Sequence, residues 1–285
     1  MTIPRIRRSI LFVPADRPDR YPKALASRAD SICIDLEDAV GPSAKGHARD
    51  AVLSYLRERT DTPAEVVLRI NSPRTEDGLR DVLALREADG GAPDALIIPK
   101  VDSAAEVGWV LELLPPWCSA VRLIVMIETA RGLARVEKIA TASDRIDALL
   151  LGAVDLSAEL GSTRGWDSLL YARSRVVHAA ALAEIDAIDV PRIDVGDDDA
   201  ERAESVAVAR LGFAGKAAIH PRQIPLINEA FTPTTEEVAQ ARRIVEAYEQ
   251  HGGAMVLLDG SLVERPVVRS AQRTLAIADR TPEPL

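Results

Sequence analysis

The stretches Val125-Met126-Ile127-Glu128-Thr129-Ala130-Arg131-Gly132 and Leu149-Leu150-Leu151-Gly152-Ala153-Val154-Asp155-Leu156 decide the fold. In each, an apolar run too short for a free helix ends in one carboxylate followed by small or helix-starting residues. That is the pattern of a buried parallel strand delivering an acid at its C-terminal end. Glu128 and Asp155 are therefore the first candidates for an active site. Two hard oxygen ligands from neighbouring strands, with no His or Cys cluster nearby, suit Mg²⁺, which keeps several waters and takes one or two protein carboxylates. Substrate oxygens complete such a shell.

Working outward, the apolar runs at Ser9 to Ala15, Ser31 to Leu36, Glu65 to Asn71, Ala95 to Val101, Arg122 to Glu128, Ala148 to Val154, Glu184 to Val190 and Lys216 to His220 predict eight strands. Helical stretches separate them: Tyr21 to Arg28, Ala44 to Thr60, Thr75 to Ala88, Ser103 to Leu114 with Glu106 in capping-box register, Leu133 to Ala142, Tyr171 to Leu182 and Asp199 to Leu211. Strand starts fall 22 to 36 residues apart, the alternation of a (β/α)8 TIM barrel. A doubly wound open sheet is the competitor. It is weakened because no glycine-rich phosphate fingerprint follows an early strand and because polar residues recur at nearly every strand end. Asp35, Glu37, Asp38, Arg69, Lys100, Glu128, Asp155 and His220 form the ring expected at a barrel's C-terminal face.

The chain continues beyond eight units. Thr234 and Glu237 are in capping-box register for a helix to Gln250, broken by Gly252-Gly253. Ala254 to Leu258, a two-residue Asp259-Gly260 turn and Ser261 to Val263 predict a hairpin, and Pro266 opens a last helix to Asp279. The expected division is a barrel domain over residues 1–230 and a C-terminal helix–hairpin–helix arm over 231–285 that packs on a neighbouring subunit of a homo-oligomer.

With 47% hydrophobic and 28% charged residues, the composition is that of a globular protein with a sizeable core. A net charge of −9 argues against nucleic-acid or anionic-membrane partners, yet Arg5, Arg7, Arg8, Arg17, Arg20 and Lys23 cluster near the start and suit a phosphate-bearing ligand, or form a solvated basic face. The apolar run Ile10 to Val13 is cut by Pro14, Asp16 and Arg17, so neither a signal peptide nor a membrane span is expected. Cys33 and Cys118 form no metal spacing and no disulfide framework, which fits a reducing, cytoplasmic setting.

Each candidate has a structural alternative. Glu128 and Asp155 can be buried acids paired with an arginine such as Arg131, or helix caps. Arg69, in an apolar strand, either pairs with Glu37 or grips a substrate carboxylate or thioester oxygen. Lys100 can be a Schiff-base nucleophile or an ion-paired lysine. Glu37 and Asp38 are placed to hold metal-bound waters rather than the ion itself. His220, before Pro221-Arg222-Gln223, reads as a residue shaping the last loop.

At these residues the chain resembles the citrate lyase β-subunit and malyl-CoA lyase family of the HpcH/HpaI aldolase superfamily. The matching stretches, in family order, are Phe12 to Pro18, Asp35 to Val40, Leu68 to Asn71, Ile98 to Lys100, Ile127 to Gly132, Gly152 to Leu156 and Ile219 to Gln223. The resemblance implies a Mg²⁺-dependent barrel that cleaves or forms a carbon–carbon bond in an acyl-CoA thioester of the citramalyl, malyl or citryl type, releasing an acyl-CoA and an oxo-acid, often as a trimer. It implies Glu128 and Asp155 as metal ligands, Arg69 on the acyl and oxo-acid oxygens, and the Arg17 to Lys23 region, with Lys100, near substrate and CoA. The family's arm carries an aspartate as acid/base, and here Gly260-Ser261-Leu262-Val263-Glu264-Arg265-Pro266 puts Glu264, one methylene longer, in its place. Two rivals remain: a class II oxo-acid aldolase that needs no CoA, and a carrier-dependent subunit of a larger lyase complex.

Overall fold

Alternation along the apolar runs predicts that every second residue faces a shared interior, and the computed structural model shows where that interior lies. It describes residues 6–88 and 90–279. Two units are defined, Arg7–Asn228 and the segment from Glu229 onward with the first residues of the chain.

In the first unit, β1 (Ser9–Pro14), β2 (Ser31–Asp35), β3 (Glu65–Arg69), β4 (Ala95–Ile98), β5 (Arg122–Ile127), β6 (Ile146–Leu151), β7 (Asp186–Asp189) and β8 (Gly215–Ala218) close into one all-parallel barrel in sequence order. Closure is made by β1 pairing with β8. Ile10, Cys33, Val67, Ala95, Ile97, Ile124, Met126, Ala148, Leu150 and Ile188 pack together as the interior cluster, with Phe12 against it. The open sheet is thereby excluded, and the (β/α)8 barrel stands.

The N-terminal mouth is sealed by charge. Arg7 donates through Nε and Nη2 to the Glu65 carboxylate at 2.6 and 2.8 Å and through Nη1 to Asp147 at 2.9 Å, and the Ser31 hydroxyl donates to Glu65 at 2.7 Å. Arg8 grips Asp30. Both arginines are buried at the end opposite the strand C-termini, so they do not join a phosphate-binding surface there. This corrects the grouping of the basic N-terminal residues; Arg5 lies outside the described residues.

Several element boundaries also differ from the sequence reading. The helix from Tyr21 stops at Leu25, Leu133 to Ala142 contributes to two short helices, Ala130–Ala134 and Val136–Ala140, and the helix around Tyr171 extends over Trp166–Ala183. Ser103 does not close a capping box: its hydroxyl donates to the Glu106 carboxylate, which reaches back to the Asp102 N–H. Two helices were missed, Ala153–Leu160 and Gln223–Ala230. The first matters most, because β6 ends at Leu151 and Asp155 lies in the opening turn of the following helix rather than on the strand.

In the second unit, the Thr234–Glu237 capping box forms as expected at the start of the helix Thr235–Gln250. An antiparallel hairpin, Val256–Leu258 with Ser261–Val263, turns through Asp259 and Gly260, both at positive φ as a two-residue turn of this kind demands. Arg243 ties the helix to that turn through Asp259 at 2.6 Å. The last helix covers Arg265–Ala278 with Glu264 as its N-cap, exposed and making no side-chain capping bond.

Candidate active site

The inward parity of the strands places the charged residues. Continuing Cys33, Val67 and Met126 by two residues arrives at Asp35, Arg69 and Glu128, so all three enter the barrel at its C-terminal mouth. Asp35 and Arg69 are partners in the β2–β3 register. At equal height they meet end on: Arg69 Nε and Nη2 donate to the two Asp35 oxygens, each at 2.6 Å. The guanidinium lies 5.0 Å from the centre of the Phe12 ring. Its third nitrogen, Nη1, is 2.9 Å from Glu37 Oε2 but off the hydrogen-bond axis, and that buried oxygen receives no donor among the described residues. Nη1 also lies 3.7 Å from Asp38 Oδ2, and its hydrogen-bond contact is the Met126 sulfur, a weak acceptor, at 3.9 Å. Two arms of Arg69 are thus fixed by Asp35, while the third is ion-paired with Glu37 off the hydrogen-bond axis, so its N–H groups can still donate to a ligand oxygen.

From sequence, Asp35 belongs to the ring at the barrel mouth but has no role, and Glu37 alone is the expected partner of Arg69. The signal was there: a guanidinium in an apolar strand needs a counter-charge at its own level on the neighbouring strand.

Glu128 is held by two backbone features. Its Oε1 accepts from the Lys100 N–H at 2.8 Å, whereas Oε2 accepts from no donor among the described residues. Gly152 follows Leu150 in inward parity on β6, and a Cβ there would lie 2.4 Å from Glu128 Cβ and 2.5 Å from Oε2. The position must be glycine for Glu128 to occupy its place. Gly152→Ala is expected to displace Glu128 and destabilise the fold by about 1–3 kcal/mol, read as a lowered thermal midpoint together with weakened Mn²⁺ binding. A variant binding Mn²⁺ like the parent would refute the packing argument.

Burial, the Glu37 charge and the Asp155 charge, in that order, raise the Glu128 pKa to about 8. Asp155, partly exposed, approaches from the first turn of the helix Ala153–Leu160, where the backbone dipole favours an anion. Arg131 pairs with neither acid; it lies 3.9 Å from Asp102. Among the described residues no group of three or more His, Cys, Asp or Glu side chains gathers as a complete metal cage. Two converging carboxylates, one with an unused oxygen, are nevertheless the donor set Mg²⁺ takes when waters and substrate supply the rest. A buried acid whose pKa is raised because burial and the neighbouring acids outweigh Arg69 and Lys100 fits the same ion.

Lys100 follows β4 with φ at +54°, a left-handed conformation rare for a side chain that lacks Asn or Asp chemistry. Its Nζ lies 2.8 Å from Glu37 Oε1, 3.2 Å from Asp155 Oδ2 and 3.5 Å from Asp38 Oδ1. Burial works against its charge, but the Glu37 hydrogen bond and the charges of Glu37, Asp38 and Glu128 outweigh it and raise its pKa. An amine so held is no Schiff-base nucleophile, which requires the opposite shift.

The remaining candidates divide. Glu37 is buried and Asp38 exposed, so only Glu37 is locked into the set. Arg17, Arg20 and Lys23 are exposed in the segment leaving β1, with Arg17 paired to Asp19 at 2.9 Å. His220 shapes its loop, Nδ1 accepting from the Arg222 N–H at 3.2 Å. Glu264 belongs to the second unit.

Relatives share this arrangement of barrel and sequence. The chain is 34% identical to the citrate lyase subunit beta of Leuconostoc mesenteroides subsp. cremoris, covering 96% of this chain and 94% of that one. It is 36% identical to the L-malyl-CoA/beta-methylmalyl-CoA lyase of Rhodobacter capsulatus, over 94% and 93%. Among solved structures, the protein CitE from Mycobacterium tuberculosis in complex with magnesium, acetoacetate and coenzyme A superposes with a TM-score of 0.80 at 34% identity, over 96% of this chain and 98% of that one. The model of a C–C bond lyase of the TIM-barrel fold matches residues 201–279. Because the HpcH/HpaI aldolase/citrate lyase model spans residues 8–221, the barrel that carries Arg69, Glu128 and Asp155, the chain belongs to that family.

Proposed function

We propose that this protein is a Mg²⁺-dependent carbon–carbon lyase that splits, or in reverse forms, a 3-hydroxy-dicarboxylyl- or tricarboxylyl-CoA thioester of the citramalyl, malyl or citryl type, giving an acyl-CoA and an oxo-acid. The observation that carries the reading is the convergence of Glu128 and Asp155 with the Nη1 arm of Arg69 at the barrel's C-terminal mouth. Glu128 and Asp155 hold the ion, which when bound supplies Lewis-acid charge for the substrate oxygens. Arg69 Nη1 donates to a substrate oxygen that gains negative charge as the bond breaks, and its fixed orientation means little reorganisation is needed. Glu37 and Asp38 hold water at the rim of the set. Arg17, Arg20 and Lys23 lie at the same mouth, beside the end of β1, where a phosphate-bearing substrate tail finds cations.

Glu264 acts as the acid/base on a neighbouring copy's site in a homo-oligomer, a trimer or hexamer, with 231–285 as the arm. Its support is chemical: an exposed carboxyl at the end of a hairpin, free of any capping bond. Glu264→Gln is expected to lower turnover by about 10²–10⁴-fold. Mixing Glu264→Gln with Asp155→Ala subunits restores part of the activity if the arm reaches across; no recovery places the acid/base elsewhere. No helix of the described residues is long and apolar enough to cross a membrane, and both cysteines are buried and free, which favours a reducing cytoplasmic setting.

The test is Mg²⁺-dependent release of acetyl-CoA or propionyl-CoA from malyl-, citramalyl-, methylmalyl- and citryl-CoA by the purified protein alone. Turnover of one ester fixes the reaction. The citrate lyase beta relative keeps a second reading alive, a subunit acting on carrier-bound thioester. Silence across the panel with intact Mg²⁺ binding selects it, and turnover of free oxo-acids without CoA selects a class II aldolase.

A further inference from the structure

Lys100 is joined to the candidate metal ligands through both backbone and side chain. Its N–H fixes Glu128 Oε1 at 2.8 Å, its carbonyl accepts from Arg74 Nη2 at 2.6 Å, and its ammonium touches Asp155 at 3.2 Å. The ammonium has three N–H donors, and Glu37, Asp155 and Asp38 stand at 2.8, 3.2 and 3.5 Å. One donor is hydrogen-bonded to Glu37, and the charge is ion-paired with Asp155 and Asp38 as well. Arg69 is bound to Asp35 and ion-paired with Glu37 and Asp38, but it makes no ion pair with Asp155. Lys100 is thus the cation that answers Asp155 when no metal does.

We propose that Lys100 is a built-in surrogate cation: its ammonium holds the Glu37–Asp38–Asp155 acids together in the metal-free protein and must give up Asp155 when a divalent ion binds, so that Lys100 sets the metal affinity. The inference rests on the metal reading of Glu128 and Asp155. It also accounts for the backbone. A left-handed lysine is strained, and in that conformation the residue directs its N–H at Glu128 while its side chain reaches the neighbouring acids.

The same φ supplies clean variants. Lys100→Gly and Lys100→Asn both tolerate the left-handed region, keep the N–H that holds Glu128 and remove the charge. The measurement is Mn²⁺ binding followed by the loss of the free-ion EPR signal, with thermal unfolding in EDTA and in excess Mg²⁺. Both variants are expected to bind Mn²⁺ about tenfold more tightly than the parent, because a competing charge has left the set. Their unfolding midpoints are expected to fall in EDTA and to recover in Mg²⁺. Lys100→Arg, which keeps the charge, should retain the parent's affinity. A residue that merely supported the loop would lower stability in both media and would not tighten Mn²⁺ binding.

Equal or weaker Mn²⁺ binding by both neutral variants overturns the surrogate role. If the parent and Asp155→Ala bind Mn²⁺ alike, the metal reading itself fails and takes the inference with it. If Asp155→Ala loses binding while Lys100→Gly and Lys100→Asn match the parent, only the inference fails.

Discussion

Asp155→Ala is expected to reduce Mg²⁺-dependent turnover by at least about a thousandfold, some 4 kcal/mol of barrier, while leaving the barrel folded. The asymmetry follows from where the residue sits. Asp155 is partly exposed in the first turn of the helix Ala153–Leu160, so removing its charge takes away a dipole contact worth about 0.3–1 kcal/mol and the Lys100 pairing, but no core packing. Its chemical share is far larger, because with Glu128 alone the ion keeps one protein carboxylate. The thermal midpoint should shift by a few degrees at most, and circular dichroism should be unchanged. Retention of more than about a tenth of parental turnover at saturating Mg²⁺ would remove Asp155 from the metal site.

Much of this geometry was legible because strand parity is a strict rule. Once the run ending at Met126 is read as a buried strand, Glu128 must emerge at the barrel mouth, and the same count places Arg69. Asp155 was read at the end of a strand and instead lies in the first turn of the helix that follows it. Apolar Ala153-Val154 suits a strand or a buried helix turn equally, and only the tertiary position of Gly152 decides between them. Gly152 itself was invisible, since its necessity comes from the Glu128 side chain standing where its Cβ would be. The counter-charge of Arg69 was half visible: the expected pairing with Glu37 is present at 2.9 Å, but the two-pronged bond to Asp35 depended on the β2–β3 register, which a single chain of letters does not give. Arg7 and Arg8 were misgrouped for the opposite reason. Their sequence nearness to Arg17 and Lys23 spans the length of β1, and the strand carries the two sets to opposite ends of the barrel.

The second large effect is a pH dependence set by Glu128. Burial first, then the charges of Glu37 and Asp155, raise its pKa from 4.5 to about 8 in the metal-free protein. Between those values the folded state binds more protons than the unfolded chain, so stability falls as pH rises through this window, by roughly 4–5 kcal/mol in total if no ion is present. Above about pH 8 both states are ionised and the decline ends. A divalent ion reverses the balance, because it binds the carboxylate and expels the proton. Apparent Mn²⁺ affinity should therefore rise about tenfold per pH unit from pH 6 to 8 and level off above, with close to one proton released per ion bound below the plateau. Thermal unfolding in EDTA should show the loss of stability across the same range, and saturating Mg²⁺ should remove most of it. The two measurements test one cause from opposite sides: a buried acid whose burial and acidic neighbours outweigh Arg69 and Lys100 until the ion arrives. Affinity flat from pH 6 to 9, or an EDTA midpoint that does not fall toward pH 8, would mean that Glu128 is already ionised in the free protein, and the argument that its burial marks a cation site would lose its basis.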